Sequence, residues 1–308
     1  MTYYEDFLEI KGLAPETPGV DIQAEDFDGL PEHIEQVMDG VIDTISPVTG
    51  VEGLTHAQEY LHGALYAQGI VPMMRDGNEG AMDTIKKTFG KALEYIQKIF
   101  RGIWDFFFKK KTAETAVKET KASLLECKKV VNTVEFKEKM KIIDIEDDVK
   151  ARGDKIIKIA EERKNVLDHA LTELEKRKDV EPKLYNDLEG YAKKLISAGG
   201  DEKTFSSTDF SQTLSTCEYY VEHADLEFKS LQGSESFYKK YYESFEHLKS
   251  LGLTTDDSQA PEREKGVTVR QVMEMLKIWI TAVAKVTKLN LAIVTECNKL
   301  SEFIASKK

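Results

Sequence analysis

The sequence predicts an all-α fold: an elongated multi-helix bundle of long amphipathic helices with a partly irregular, acidic N-terminal region. Three observations predict it. Proline is scarce, at 7 of 308 residues, while charged residues make up 32%, a balance that lets helices propagate. Apolar residues recur at i, i+3, i+4 and i+7 through most of the chain. Period-two alternation flanked by Gly/Asn hairpin turns is nearly absent, so few strands are expected.

The elements follow in order. Residues 1–31 are punctuated by Pro15, Pro18, Gly19, Gly29 and Pro31 and read as irregular. A helix starts after Leu30-Pro31, carries Ile34, Val37, Met38, Val41, Ile42 and Ile45 on one face, and ends at Ser46-Pro47. A second runs from Thr55, a good N-cap, to about Gln68, with Leu61, Leu65 and Tyr66 as its stripe. Gly69, Pro72 and Asp76-Gly77-Asn78 make the next turn.

Residues 81–108 form the clearest amphipathic helix, with Lys86, Lys87, Lys91, Lys98 and Arg101 opposite a broad apolar face that ends in Trp104-Asp105-Phe106-Phe107-Phe108. Beyond it, Ala116, Val117, Thr120, Leu124, Cys127, Val131 and Val134 make one stripe, and Ile156, Ala160, Leu167, Ala170 and Leu174 another. Arg152-Gly153-Asp154 is the best candidate break between them. A helix over 181–198 stops at Gly199-Gly200, and Thr208-Asp209 or Ser211 caps the next, which runs through Cys217, Tyr220, Val221, Ala224 and Phe228. Residues 252–266 read as the longest polar loop. A last helix, from Thr268 to about Ile304, would extend roughly 55 Å.

Charge is unevenly laid out. The chain carries a net −12. Residues 1–84 hold 17 acidic against 2 basic residues, a net of −15, and residues 85–111 hold 8 basic against 2 acidic, a net of +6. Composition and charge therefore suggest an acidic N-terminal region at 1–80, with short helices, and a helical bundle at 81–308.

The chemistry-bearing motifs are missing. There is no GxxxxGK[ST] phosphate loop, no GxGxxG after a strand, no GxSxG elbow and no HExxH. His33, His56, His62, His169, His223 and His247 are dispersed. His56 and His62 lie six apart, a poor metal-ligand spacing on a helix. Cys127, Cys217 and Cys297 are far apart and read as small buried apolar residues. No catalytic residue, cofactor or metal is expected. Direct nucleic-acid binding is disfavoured, because the aromatics of 85–111 sit on the apolar stripe and not among the lysines. No stretch approaches 18 uncharged apolar residues, so no transmembrane helix is expected. The N-terminus lacks the features of a secretory signal.

The face of residues 85–108 suits either a core or a contact with an anionic membrane surface or a partner protein. Its candidate interaction residues are Phe89, Leu93, Ile96, Phe100, Ile103, Trp104 and Phe107, with Lys87, Lys98 and Arg101 beside them.

The run EGAMDTIKKTFGKALEYIQKIFRGIWDFFFKKK, after HAQEYLHGALYAQGI and before a long Lys/Glu-rich helical tail, resembles internal head or virion structural proteins of tailed bacteriophages. The similarity lies mainly in residues 55–112. It implies a protein packaged inside the capsid beside the DNA, in contact with other virion proteins, and in some members delivered into the host cytoplasm to act on host proteins. It also implies an N-terminal propeptide removed after a short motif ending in Glu. Leu30-Pro31-Glu32 and Leu171-Thr172-Glu173 both fit such a motif, and the Pro-rich N-terminal setting makes Glu32 the candidate cleavage position. The expected function is that of a non-enzymatic internal head protein. The alternative is a membrane-perturbing or host-factor-inhibiting effector acting through 85–108.

Replacing Ile96, Phe100, Trp104 and Phe107 together with Ala separates the core and interface readings. Circular dichroism and a binding assay on the quadruple variant provide the measurement. Loss of the whole fold assigns the stripe to a core, and a folded variant that loses only binding assigns it to an interface.

Overall fold

The computed structural model describes residues 29–45, 54–71, 94–95, 98, 112–232 and 260–308. Among these residues every regular element is helical. The helices are α1 (Leu30–Ile45), α2 (His56–Ala67), α3 (Thr112–Val131), α4 (Val134–Met140), α5 (Glu146–Glu175), α6 (Pro182–Gly199), α7 (Phe210–Gln232) and α8 (Ala260–Ala305). The all-α reading holds.

The chain divides into two compact units. The first draws on Met1–Phe106, Thr172–Glu189 and Ser234–Ala284, the second on Phe107–Leu171, Gly190–Gly233 and Lys285–Lys308. This division differs from a boundary at residue 80. Helices as long as α5 and α8, of 30 and 46 residues, supply residues to both units, so each unit is assembled from separate chain segments.

In the first unit α1 packs against α2. Ile34, Val37, Met38, Val41 and Ile42 form the buried stripe of α1, and Leu61 and Leu65 face them from α2. Thr55 caps α2 through a reciprocal bond set: Gln58 N–H donates to Thr55 Oγ1, and Thr55 N–H donates to Gln58 Oε1. The same cap reaches α1, since the Thr55 hydroxyl donates to Asp43 Oδ2 at 2.7 Å. Gly40 brings the backbones close, because a Cβ there would fall 2.6 Å from Leu61 Cβ. Tyr66, expected on the stripe, is instead 38% exposed.

In the second unit α3 and α7 pack antiparallel, as the Lys121–Asp225 (2.9 Å) and Lys128–Glu218 (2.5 Å) pairs require. α8 closes on α3 through the Ser123–Ser301 hydroxyl pair and on α5 through Lys155–Glu296, at 2.9 and 3.0 Å. The segment 200–209 is strapped to α7 by two phenols. Tyr219 Oη accepts from Asp201 N–H, and Tyr220 Oη both accepts from Lys203 N–H and donates to Lys203 O.

Three local expectations are corrected. The break assigned to Arg152-Gly153-Asp154 lies inside α5, and Asp154 is a helical residue, not a turn. The chain breaks instead after Val131, where Thr133 caps α4, and again before Glu146. Gly153 is no helix stop, because the Phe205 ring occupies the place of its missing side chain, 2.6 Å from an ideal Cβ. Val134, assigned to the α3 stripe, begins α4 and is 72% exposed. Residues 260–266, assigned to a loop, begin α8, whose first turns are rich in Glu, Arg and Lys, all good helix formers.

A fourth difference concerns hydropathy. The part of α8 from Arg270 to Ala305 is long and apolar enough to cross a membrane, its best 18-residue window reaching a mean hydropathy of 1.4. The window tolerates Lys285 and Lys288, and most of it is buried within the fold.

Gly153→Ala is expected to destabilise the protein by about 1–3 kcal/mol through overpacking against Phe205. At an uncrowded helical site the same change would stabilise by up to about 1 kcal/mol. Urea unfolding of the variant gives the sign.

Candidate functional site

Two buried polar constellations stand out, one in each unit. The first begins with His33, in the first turn of α1 and 3% exposed. Its Nδ1 lies 2.8 Å from Tyr60 Oη of α2, and its Nε2 lies 2.9 Å from Tyr95 Oη. A neutral imidazole has one donor and one acceptor nitrogen, so one phenol donates to the ring and the other accepts. Burial pushes the His33 imidazole down to about 4 and Tyr60 up to about 12, and it raises Tyr95 as well. His62 of α2 is also buried, is lowered for the same reason, and its Nδ1 has no hydrogen-bond partner among the described residues.

The second constellation joins four helices. Arg163 of α5, Glu227 of α7 and Asn290 of α8 are 4%, 0% and 0% exposed. The Arg163 guanidinium donates to Asn290 Oδ1 at 3.1 Å and to the Gly199 carbonyl at the end of α6 at 2.9 Å. Asn290 Nδ2 donates to Glu227 Oε2 at 2.5 Å. The direct Arg163–Glu227 approach is longer, 3.5 Å from Nε to Oε1, and Oε1 accepts no hydrogen bond from the described residues. Burial therefore dominates and raises the Glu227 carboxyl above its ordinary value, against the pull of Arg163 and Asn290. Gly199 must lack a side chain, since a Cβ would lie 2.6 Å from Glu227 Oε1 and 3.0 Å from Arg163 Nη2. Beside it Gly200 adopts φ +68° and ends α6, and His223 Nδ1 sits 2.7 Å from the Ala198 carbonyl.

Two lysine-paired carboxylates of this unit behave differently. Burial works against ionisation of Asp225 and Glu296, but their lysine partners outweigh it and both lie below the ordinary range.

The three cysteines are buried and free. Cys127 Sγ donates to the Ser301 carbonyl at 3.2 Å. Burial pushes the Cys127 thiol up to about 11, which disfavours the reactive thiolate. Among the described residues no group of three His, Cys, Asp or Glu side chains is arranged to hold a metal ion.

Of the residues singled out on 85–108, Lys98 is described and is exposed on a helical segment. Phe89, Leu93, Ile96, Phe100, Ile103, Trp104, Phe107, Lys87 and Arg101 lie outside the described residues. Tyr95, not singled out from the sequence, is 2% exposed and bonded to His33. Glu32 is exposed in the first turn of α1, but its neighbours Leu30 and His33 are buried, so cleavage after Glu32 requires that turn to open. Sequence reading also passed over Arg163, Glu227 and Asn290. Arg163 and Glu227 did carry a signal: each falls on the apolar stripe of its helix, Arg163 between Ala160 and Leu167, Glu227 between Ala224 and Leu231.

No protein-family model, no curated protein and no solved structure matches the chain.

Arg163→Met is expected to cost about 3–5 kcal/mol, because it leaves Glu227 buried without its guanidinium. The double variant Arg163→Met/Glu227→Leu should recover most of that loss. Guanidinium unfolding of both variants checks the pair.

Proposed function

We propose that this chain is a non-enzymatic internal protein of a tailed-phage particle, packaged in the capsid with other virion proteins and delivered with the genome to the host cytoplasm. The observation that supports it most is the use to which the described polar side chains are put. Arg163, Glu227, Asn290 and His33 are all buried, and each is spent on binding one helix to another. A helical module built this way suits a structural or cargo role. The resemblance of residues 55–112 to internal head proteins supplies the setting.

A second reading is a membrane-perturbing effector acting through 85–108. The broad apolar stripe of that segment, with lysines opposite it and at its end, favours it.

Mass spectrometry of purified particles of a phage encoding this chain tests the first reading. Abundant recovery is expected, and the N-terminal peptide reports whether the chain begins at Met1 or after Glu32. Absence at deep proteome coverage would remove the virion assignment. Dye release from anionic liposomes at neutral pH would then carry the second reading, and inert liposomes would remove that too.

A further inference from the structure

We propose that the first unit is an acid-sensitive module, in which the neutral imidazole of His33 ties the Tyr95 phenol to the α1–α2 pair and lets it go on protonation. The inference is independent of the virion assignment.

It starts from geometry. His33 is held on both ring nitrogens, by a phenol from α2 and by a phenol 62 positions along the chain. The rings are also in contact, with centroids 5.7 and 6.0 Å apart. Both partners are neutral, so among the described residues no carboxylate is bonded to the ring to compensate a proton on it. The charged groups on the surrounding elements are engaged elsewhere or face outward. On α1, Asp39 pairs with Lys277 of α8 and Asp43 accepts from Thr55, while Glu32 is exposed. Glu35 is half-buried on α1. Glu59 of α2, and Glu94 and Lys98 beside Tyr95, are exposed, and Glu274 of α8 is bound to Arg177 and Arg270. Among the described residues none of them pairs with His33. His62, the second buried imidazole of the α1–α2 pair, adds a group of the same sense.

The sign follows. An imidazole whose folded value is depressed stabilises the fold above its unfolded value and withdraws that stability as pH falls toward the folded value. For His33 the window runs from 6.5 down to about 4. The buried carboxyl of the second unit has the opposite sense. Its folded value is raised, so it contributes stability on the acid side and does not weaken the second unit on mild acidification. Asp225 and Glu296, held below their ordinary 3.8 and 4.5, withdraw stability from the second unit only as pH falls past those values, so acidification to pH 5 bears mainly on the first unit. Protonating a ring held between two phenols leaves a buried cation with no counter-charge among the described residues, and opening the clamp is the way to hydrate it.

Hydrogen exchange on the full chain at pH 7 and pH 5, expressed as protection factors, tests this. Amides of α1, α2 and the peptide carrying Tyr95 are expected to lose protection about 25-fold more than those of α3 and α7, the factor that the His33 window sets. His33→Gln, which keeps a donor and an acceptor but cannot titrate, should remove most of the loss. Equal loss in both units, or an undiminished loss in His33→Gln, would overturn the proposal. A wild-type measurement stands beside the variant: NMR titration of the histidine rings should show one ring still neutral at pH 5. If every ring in the folded protein titrates near 6.5, the clamp is not an acid switch.

Discussion

The second unit depends on one constraint: a guanidinium, a carboxyl and a carboxamide must find each other where four helices meet. Arg163, Glu227 and Asn290 have no solvent to fall back on. A shift of α5, α7 or α8 by one residue would turn one of these groups away and leave the others buried and unpaired, at a cost of several kcal/mol. Apolar stripes alone tolerate such slips, because one leucine packs much like another. The cluster therefore sets register more than it adds net stability. Gly199 enters this account for the same reason. It is the point where the end of α6 comes close enough for its carbonyl to receive Arg163, and any side chain there would occupy the space of the pair.

The first unit meets the same problem with different chemistry. Its buried polar group is an imidazole between two phenols, neutral throughout. Neutral groups desolvate more cheaply than ions, so the constellation needs no counter-charge, only correct donor and acceptor order. That economy makes it sensitive to protonation, whereas the ion pair of the second unit already contains both signs. The two cores differ in what disturbs them although both are helical and both are lined mainly by aliphatic side chains.

The sequence carried the helices better than it carried the site, and the reasons are particular. Thr55, Asp209 and the Gly199-Gly200 pair act within a few residues of themselves, and each was legible as a cap or stop. Gly153 was misread as a break because its partner, Phe205, lies about fifty positions away and only the fold brings the ring to it. The start of α8 was hidden by polar composition, which serves a solvated helix as well as a loop. Arg163 and Glu227 were passed over because a charge at a stripe position looks like an imperfection until its partner is known. Tyr95 was hidden for a related reason: nothing local distinguishes a phenol that will bond a histidine on α1 from one that will face solvent.

α8 shows why average hydropathy and role come apart. Averaged over its best window the helix reads as a membrane span, yet its polar atoms are not placed as a bilayer would want them. Thr281, Thr287 and Asn290 are buried along it, and Asn290 is fully engaged with Arg163 and Glu227. Lys285 and Lys288 are only partly buried, on the less covered side of the same stretch. A bilayer would require the carboxamide to be satisfied within lipid, at a real cost, while the folded core already satisfies it. Replacing Asn290 with Leu would raise the hydropathy of the helix and orphan a buried guanidinium and carboxyl together. The residue that makes α8 a poorer membrane helix is thus the one that makes it a specific core helix.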